Sequence, residues 1–218
     1  MARHQRSWVN AAHCGHNNEI QTTMNRIAQL DPTQTSGKTR QLLEAVQTQL
    51  GSVPNLFRVF GNSPAALEAY VGFDTALAGG VLPAKVRDQI ALVVAEINDC
   101  SYCRNAHAYL GAKAGLSDRQ IADARKVVAN DERTEAILSL ARNVVVQRGE
   151  LSDTEFKAAR AAQLTDAEIV ETVANVALNI LTNYVNHVAQ TVVDFPEPTP
   201  PATEGTVEAC AAPACGCA

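Results

Sequence analysis

Apolar positions recur at helical spacing along most of the chain. Leu42, Leu43, Val46 and Leu50 mark a helix over 39–50 that Gly51 closes. Pro64 opens a second, carrying Leu67, Tyr70, Val71, Asp74 and Leu77 and ending at Gly79-Gly80. Pro83 suits a first helical turn, and Val86, Ile90, Val93, Val94 and Ile97 follow at the same period. Three capping boxes then announce further starts: Ser117 with Gln120, Ser152 with Glu155, and Thr165 with Glu168. The only compact β-branched run, Val144-Val145-Val146, lies inside a helical pattern. The last helix is the longest, predicted from Asp166 to Val192 with an apolar stripe of Ile169, Val173, Val176, Ile180, Tyr184 and Val188. The pattern predicts an all-α bundle.

Composition agrees. The 218 residues are 46% hydrophobic but only 5% aromatic, so Ala, Val, Leu and Ile must fill the core, with Phe57, Phe60, Tyr70 and Phe73 among them. No apolar run approaches the ~18 residues of a membrane span. Residues 1–23 show no period and read as a disordered extension. Residues 24–196 read as the folded domain, and 197–218 as a disordered tail holding Cys210, Cys215 and Cys217. The net charge is −5, of which four acids fall from Asp194 onward, so the rest of the chain carries −1. Neither nucleic acid nor a membrane surface is an expected partner. The six cysteines do not staple the body and no apolar signal segment precedes it, which places the chain in a reducing cytoplasm.

The chemistry gathers in Asp88-Gln-Ile-Ala-Leu-Val-Val-Ala-Glu96-Ile-Asn-Asp-Cys100-Ser-Tyr102-Cys103-Arg-Asn-Ala-His107. A helix capped by Asp99 would hold both thiols in its first turn, where unpaired N–H groups and the dipole favour thiolate. Cys103 and His107 are i,i+4 and share a face, with Cys100 placed to close a disulfide. Asp88 and Glu96 stand upstream; either can orient His107 or pass a proton if the helices fold back. The same C-x2-C-x3-H spacing also supplies three zinc ligands, with Cys14, His16 or the tail as a fourth.

This stretch resembles the core of the carboxymuconolactone decarboxylase superfamily, in its AhpD-like alkyl hydroperoxidase branch. The likeness extends to Leu82-Pro-Ala-Lys-Val-Arg-Asp-Gln-Ile-Ala-Leu, Gly111-Ala-Lys-Ala-Gly-Leu-Ser, Val53-Pro-Asn-Leu-Phe, Ser63-Pro-Ala-Ala-Leu and Asn183-Tyr-Val-Asn-His187-Val-Ala-Gln-Thr, across about residues 26–196. It implies an AhpD-like helical bundle that oligomerises through long helices. It also implies a thiol peroxidase that needs no cofactor, with Cys103 peroxidatic, Cys100 resolving and His107 in a proton relay. An external dithiol, of thioredoxin or lipoyl type, would reduce the disulfide. The family's relay Glu aligns with Asp88, one methylene shorter, so Glu96 is a second candidate. Tyr102 stands where relatives carry His, putting a hydroxyl in the relay.

Two other readings stand beside it: a redox-sensing or zinc-binding module, and a lactone decarboxylase-like enzyme, against which the cysteine pair argues. The row Asn175, Asn179, Asn183 and Asn186 before His187 reads either as a polar face toward the thiols or a subunit, or as a groove satisfied by hydrogen bonds. The tail cysteines offer a flexible dithiol, with an inert tail as the default.

Overall fold

The computed structural model describes residues 25–198. Among them are nine helices and no strand: α1 Gly37–Leu50, α2 Asn55–Phe60, α3 Pro64–Ala78, α4 Ala84–Ile97, α5 Ser101–Lys113, α6 Asp118–Ala124, α7 Glu132–Gln147, α8 Asp153–Ala161 and α9 Asp166–Ala189. The expected extension, with Cys14 and His16, and the tail cysteines Cys210, Cys215 and Cys217 lie outside the described residues.

α4 is the axis of the bundle. Gln89 through Ala95 are all buried, so this helix is covered on every side by α5, α7 and α9. Two apolar clusters flank it. The larger joins Ile90, Leu92, Val93 and Val94 to Ile137, Leu138, Leu140 and Ala141 of α7 and Val176 of α9. The smaller packs Leu43, Leu56, Phe60 and Leu67 around Ala95, Cys100, Tyr102 and Cys103. Phe73, expected in the core, is 37% exposed.

α9 departs from the expected stripe. It ends at Ala189, where Gln190 takes the left-handed conformation at φ 51°. Val176 is buried and Ile169 and Ile180 pack against the core as expected, but Val173, Tyr184 and Val188 are largely exposed, and Thr172, Asn175, Asn179, Thr182, Asn183 and Asn186 are buried beside Val176. These polar groups enter the interior because most satisfy themselves locally. Thr172 Oγ1 donates to the Glu168 carbonyl at 2.7 Å, and the Asn175 and Asn179 amides donate to the carbonyls four residues back at 2.8 Å. Short self-bonded side chains let α9 press on α4, leaving Val170, Val173, Tyr184 and Val188 as an apolar row facing outward. No helix among the described residues is long and apolar enough to cross a membrane.

All three capping boxes form. At α9 the Glu168 carboxylate accepts from the Thr165 amide at 2.8 Å and also pairs with Arg133 at 2.6 Å. Burial pushes this carboxyl up, but the Thr165 and Arg133 contacts outweigh it and hold it below its usual value of 4.5. Its contribution is therefore complete above the unfolded pKa and is lost as pH falls through the depressed folded one. Glu168→Ala is expected to cost about 1–2 kcal/mol, read as a lower urea midpoint at unchanged m.

Candidate active site

The turn between α4 and α5 builds the site. Asp99 sits in the left-handed region at φ 52°. The Asp99 amide then donates to the Glu96 carbonyl at 3.2 Å and the Cys100 amide to Ala95 at 2.9 Å, the paired bonds of a Schellman closure. Asp tolerates this conformation better than a branched residue. The cap of α5 is Cys100 rather than the expected Asp99: its sulfur accepts from the Cys103 amide at 3.3 Å. One residue thus ends α4 with its amide and starts α5 with its side chain.

Both thiols are buried, 2% exposed each, and their sulfurs lie 2.7 Å apart. The hydrogen bond with Cys103 is the main cause that brings Cys100 down from 9.0 to about 7, aided by the Cys103 amide and the two nearby histidines against the cost of burial. Cys103 moves the opposite way. Its bond to Cys100, burial and the neighbouring negative charge push it up, while the Asn186 and Asn183 amides pull it back. Asn186 Nδ2 donates to Cys103 Sγ at 3.2 Å. Of the two thiols, Cys100 is therefore the one that ionises first. A thiolate absorbance step at 240 nm is expected near pH 7, ahead of ordinary thiols at about 8.5. Cys100→Ser should abolish that step.

His107, one turn beyond Cys103, turns its Nδ1 to Asp88 Oδ1 at 3.0 Å. With Asp88 ionised, Nδ1 carries the proton and Nε2 is the basic nitrogen. Gly111, a turn further along α5, allows this approach: a Cβ there would stand 2.9 Å from Leu116 Cδ1 and 3.6 Å from Asp88 Cβ. Glu96 does not join the group. It points elsewhere and pairs with Arg125 at 2.8 Å. Tyr102 is not turned to the relay either. Its buried hydroxyl accepts from the Leu56 amide at 3.1 Å, burial raises its pKa, and its ring meets Phe195 edge-on at 5.7 Å.

A carboxylate the motif did not single out completes the surroundings. Asp74 of α3 shares a cavity with His107, and burial raises its pKa against the pull of Arg87 and His107. Its signal was an acid within the apolar spacing Leu67, Tyr70, Val71 and Leu77. That cavity, about 290 Å³, runs from Cys103 and His107 between Phe57, Tyr70, Tyr109 and Phe195. Among the described residues no group of three or more His, Cys, Asp or Glu is placed to hold a metal ion.

Residues 64–147 match the carboxymuconolactone decarboxylase family. No curated protein matches the chain significantly. Among solved structures, it resembles the alkylhydroperoxidase AhpD core of a peroxidase-related protein from Ralstonia eutropha JMP134. Identity is 23%, covering 78% of this chain and 93% of that one, with a TM-score of 0.71. A peroxidase-related protein from Silicibacter sp. TM1040 is similar at 22% identity, 82% and 95% coverage and a TM-score of 0.68. The debrominase Bmp8, solved with 2,3,4-tribromopyrrole, shares the fold at 15% identity, 80% and 93% coverage and a TM-score of 0.67. The family match thus spans α3 to α7, and the helical fold built around that segment is the one these solved structures share.

Proposed function

We propose that this protein is a thiol peroxidase that reduces organic hydroperoxides through a Cys100–Cys103 dithiol/disulfide cycle. The carrying observation is the pair of sulfurs 2.7 Å apart at a helix start, with Cys103 opening on the cavity that also holds His107. Cys103 gives its proton to His107 Nε2, whose basicity the Asp88 carboxylate supports. The thiolate attacks the terminal peroxide oxygen and the O–O bond breaks. The imidazolium protonates the departing alkoxide, giving an alcohol and a Cys103 sulfenic acid. The Cys100 thiolate then attacks that sulfur; hydroxide leaves, takes a proton as water, and the disulfide remains. A dithiol restores the reduced pair.

The ring-lined walls favour a bulky apolar peroxide over hydrogen peroxide. Cumene hydroperoxide with dithiothreitol is the test. Consumption with a kcat/KM at least tenfold above that for hydrogen peroxide supports the reading, and no consumption of either removes it. The same aromatic walls fit a flat halogenated ring, the kind of compound bound by the debrominase relative, so bromide release from 2,3,4-tribromopyrrole is the second assay.

A further inference from the structure

The two cysteines face different openings. Cys103 borders the aromatic cavity, whereas Cys100 borders a second cleft of about 400 Å³ with Ser101, Asn186, His187 and Gln190. Among the described residues Tyr102 alone borders both, so its ring is the wall between them. That wall is fixed at both ends: the hydroxyl by the Leu56 amide, the ring edge by Phe195.

The second cleft differs in chemistry from the first. Besides the wall and the His187 imidazole it holds no ring, and Asp99, Ser101, Asn186 and Gln190 stand around the more acidic sulfur, with Val192 and Val193 completing the lining. His187 is oriented there. Its Nε2 lies 2.9 Å from the Asn98 carbonyl, which can only accept, so Nε2 donates there and Nδ1 is the nitrogen turned to other partners. A disulfide between Cys100 and Cys103 would be open to a nucleophile at Cys100 from this side. The sulfur it displaces, Cys103, already has an amide donor in Asn186.

We propose that this polar cleft is a separate site for the electron donor, a compact dithiol, with His187 as the base that activates it. The proposal rests on the peroxidase reading only for the identity of the oxidant. A donor thiol gives its proton to His187 Nδ1 and attacks Cys100 Sγ. The Cys100–Cys103 bond breaks, and Cys103 leaves as a thiolate held by Asn186. The donor's second thiol then attacks its own sulfur in the mixed disulfide and releases Cys100. The donor ends as a disulfide. Of its two protons, one stays with the cysteine pair and one passes from His187 to solvent.

Each half of the cycle can be timed alone. The disulfide is prepared with diamide, so its reduction by dithiothreitol is measured whether or not the protein consumes peroxide. Oxidation of the reduced pair by cumene hydroperoxide is followed separately by loss of thiols. Ser101→Trp, which crowds the polar cleft, is expected to slow reduction at least tenfold and leave oxidation within twofold. Leu50→Trp, at the aromatic cavity, should do the reverse. His187→Ala should slow reduction and leave oxidation within twofold, and an unchanged urea midpoint in each variant is the check on folding. If Ser101→Trp and His187→Ala leave reduction at the wild-type rate, or slow both halves equally, the separate donor site is wrong. If reduction behaves as expected but peroxide never oxidises the pair, the donor site stands and the peroxidase reading falls.

Discussion

Cys103→Ser should abolish hydroperoxide turnover, while Cys100→Ser should consume one equivalent per chain and then stop. The difference follows from position. Cys103 is the sulfur that opens on the aromatic cavity beside His107, so a serine there removes the attacking atom. Cys100 lies behind the Tyr102 wall and enters only when the sulfenic acid is resolved. Without it the first oxygen transfer still occurs, and the sulfenic acid persists long enough to be trapped with dimedone. The protein is 23.2 kDa, and intact mass distinguishes the adduct from a disulfide without ambiguity. Burst consumption in Cys103→Ser with none in Cys100→Ser would exchange the two roles. That outcome has a physical basis, since Cys100 is the more acidic of the pair. Acidity alone does not decide attack: Cys103 is the sulfur that lines the cavity shared with His107.

The second large effect is expected at Asp88. Asp88→Asn keeps the shape but removes the charge 3.0 Å from His107 Nδ1. The imidazole then loses both its enforced tautomer and the support for its cationic form, a loss of about 10²-fold or more in kcat/KM. Asp88→Glu restores the carboxylate and should recover most of that activity. Rescue and stability separate this role from simple packing: activity should fall in Asp88→Asn and return in Asp88→Glu at an unchanged urea midpoint. A packing defect would lower activity in both variants, with a matching fall in the urea midpoint. Equal activity of Asp88→Asn and wild type would detach this carboxylate from proton transfer.

Local features of the fold were legible in the sequence, and long-range ones were not. The capping boxes at Ser117, Ser152 and Thr165 are complete within four residues, and each forms as read. Half of the stripe read on α9, Val173, Tyr184 and Val188, lies outside the core for a definite reason. Periodicity tells which residues share a face but not which face meets the core. Here the burial went to Asn and Thr side chains that bond to their own backbone. The same limit applies to the two upstream acids. Glu96 and Asp88 look equally able to serve His107 from their spacing; only the packing of α4 on α5 joins Asp88 to the ring and leaves Glu96 with Arg125. Tyr102 gave no sign that its hydroxyl would be claimed by the Leu56 amide, forty-six residues away. Asp74 comes from α3, a helix that carries none of the cysteine and histidine motif.

The double duty of Cys100 at the α4–α5 turn couples electron count to backbone motion. In the reduced chain its sulfur, the more acidic of the pair, accepts from the Cys103 amide at 3.3 Å. A disulfide sulfur is neutral and a much weaker acceptor, so each catalytic cycle would unfasten and refasten the first turn of α5. Deuterium uptake at that single amide would then serve as an oxidation gauge, fast in the disulfide and slow in the dithiol. The Cys100 amide, tied to the Ala95 carbonyl in the preceding helix, is expected to exchange alike in both states and so to supply the internal clock.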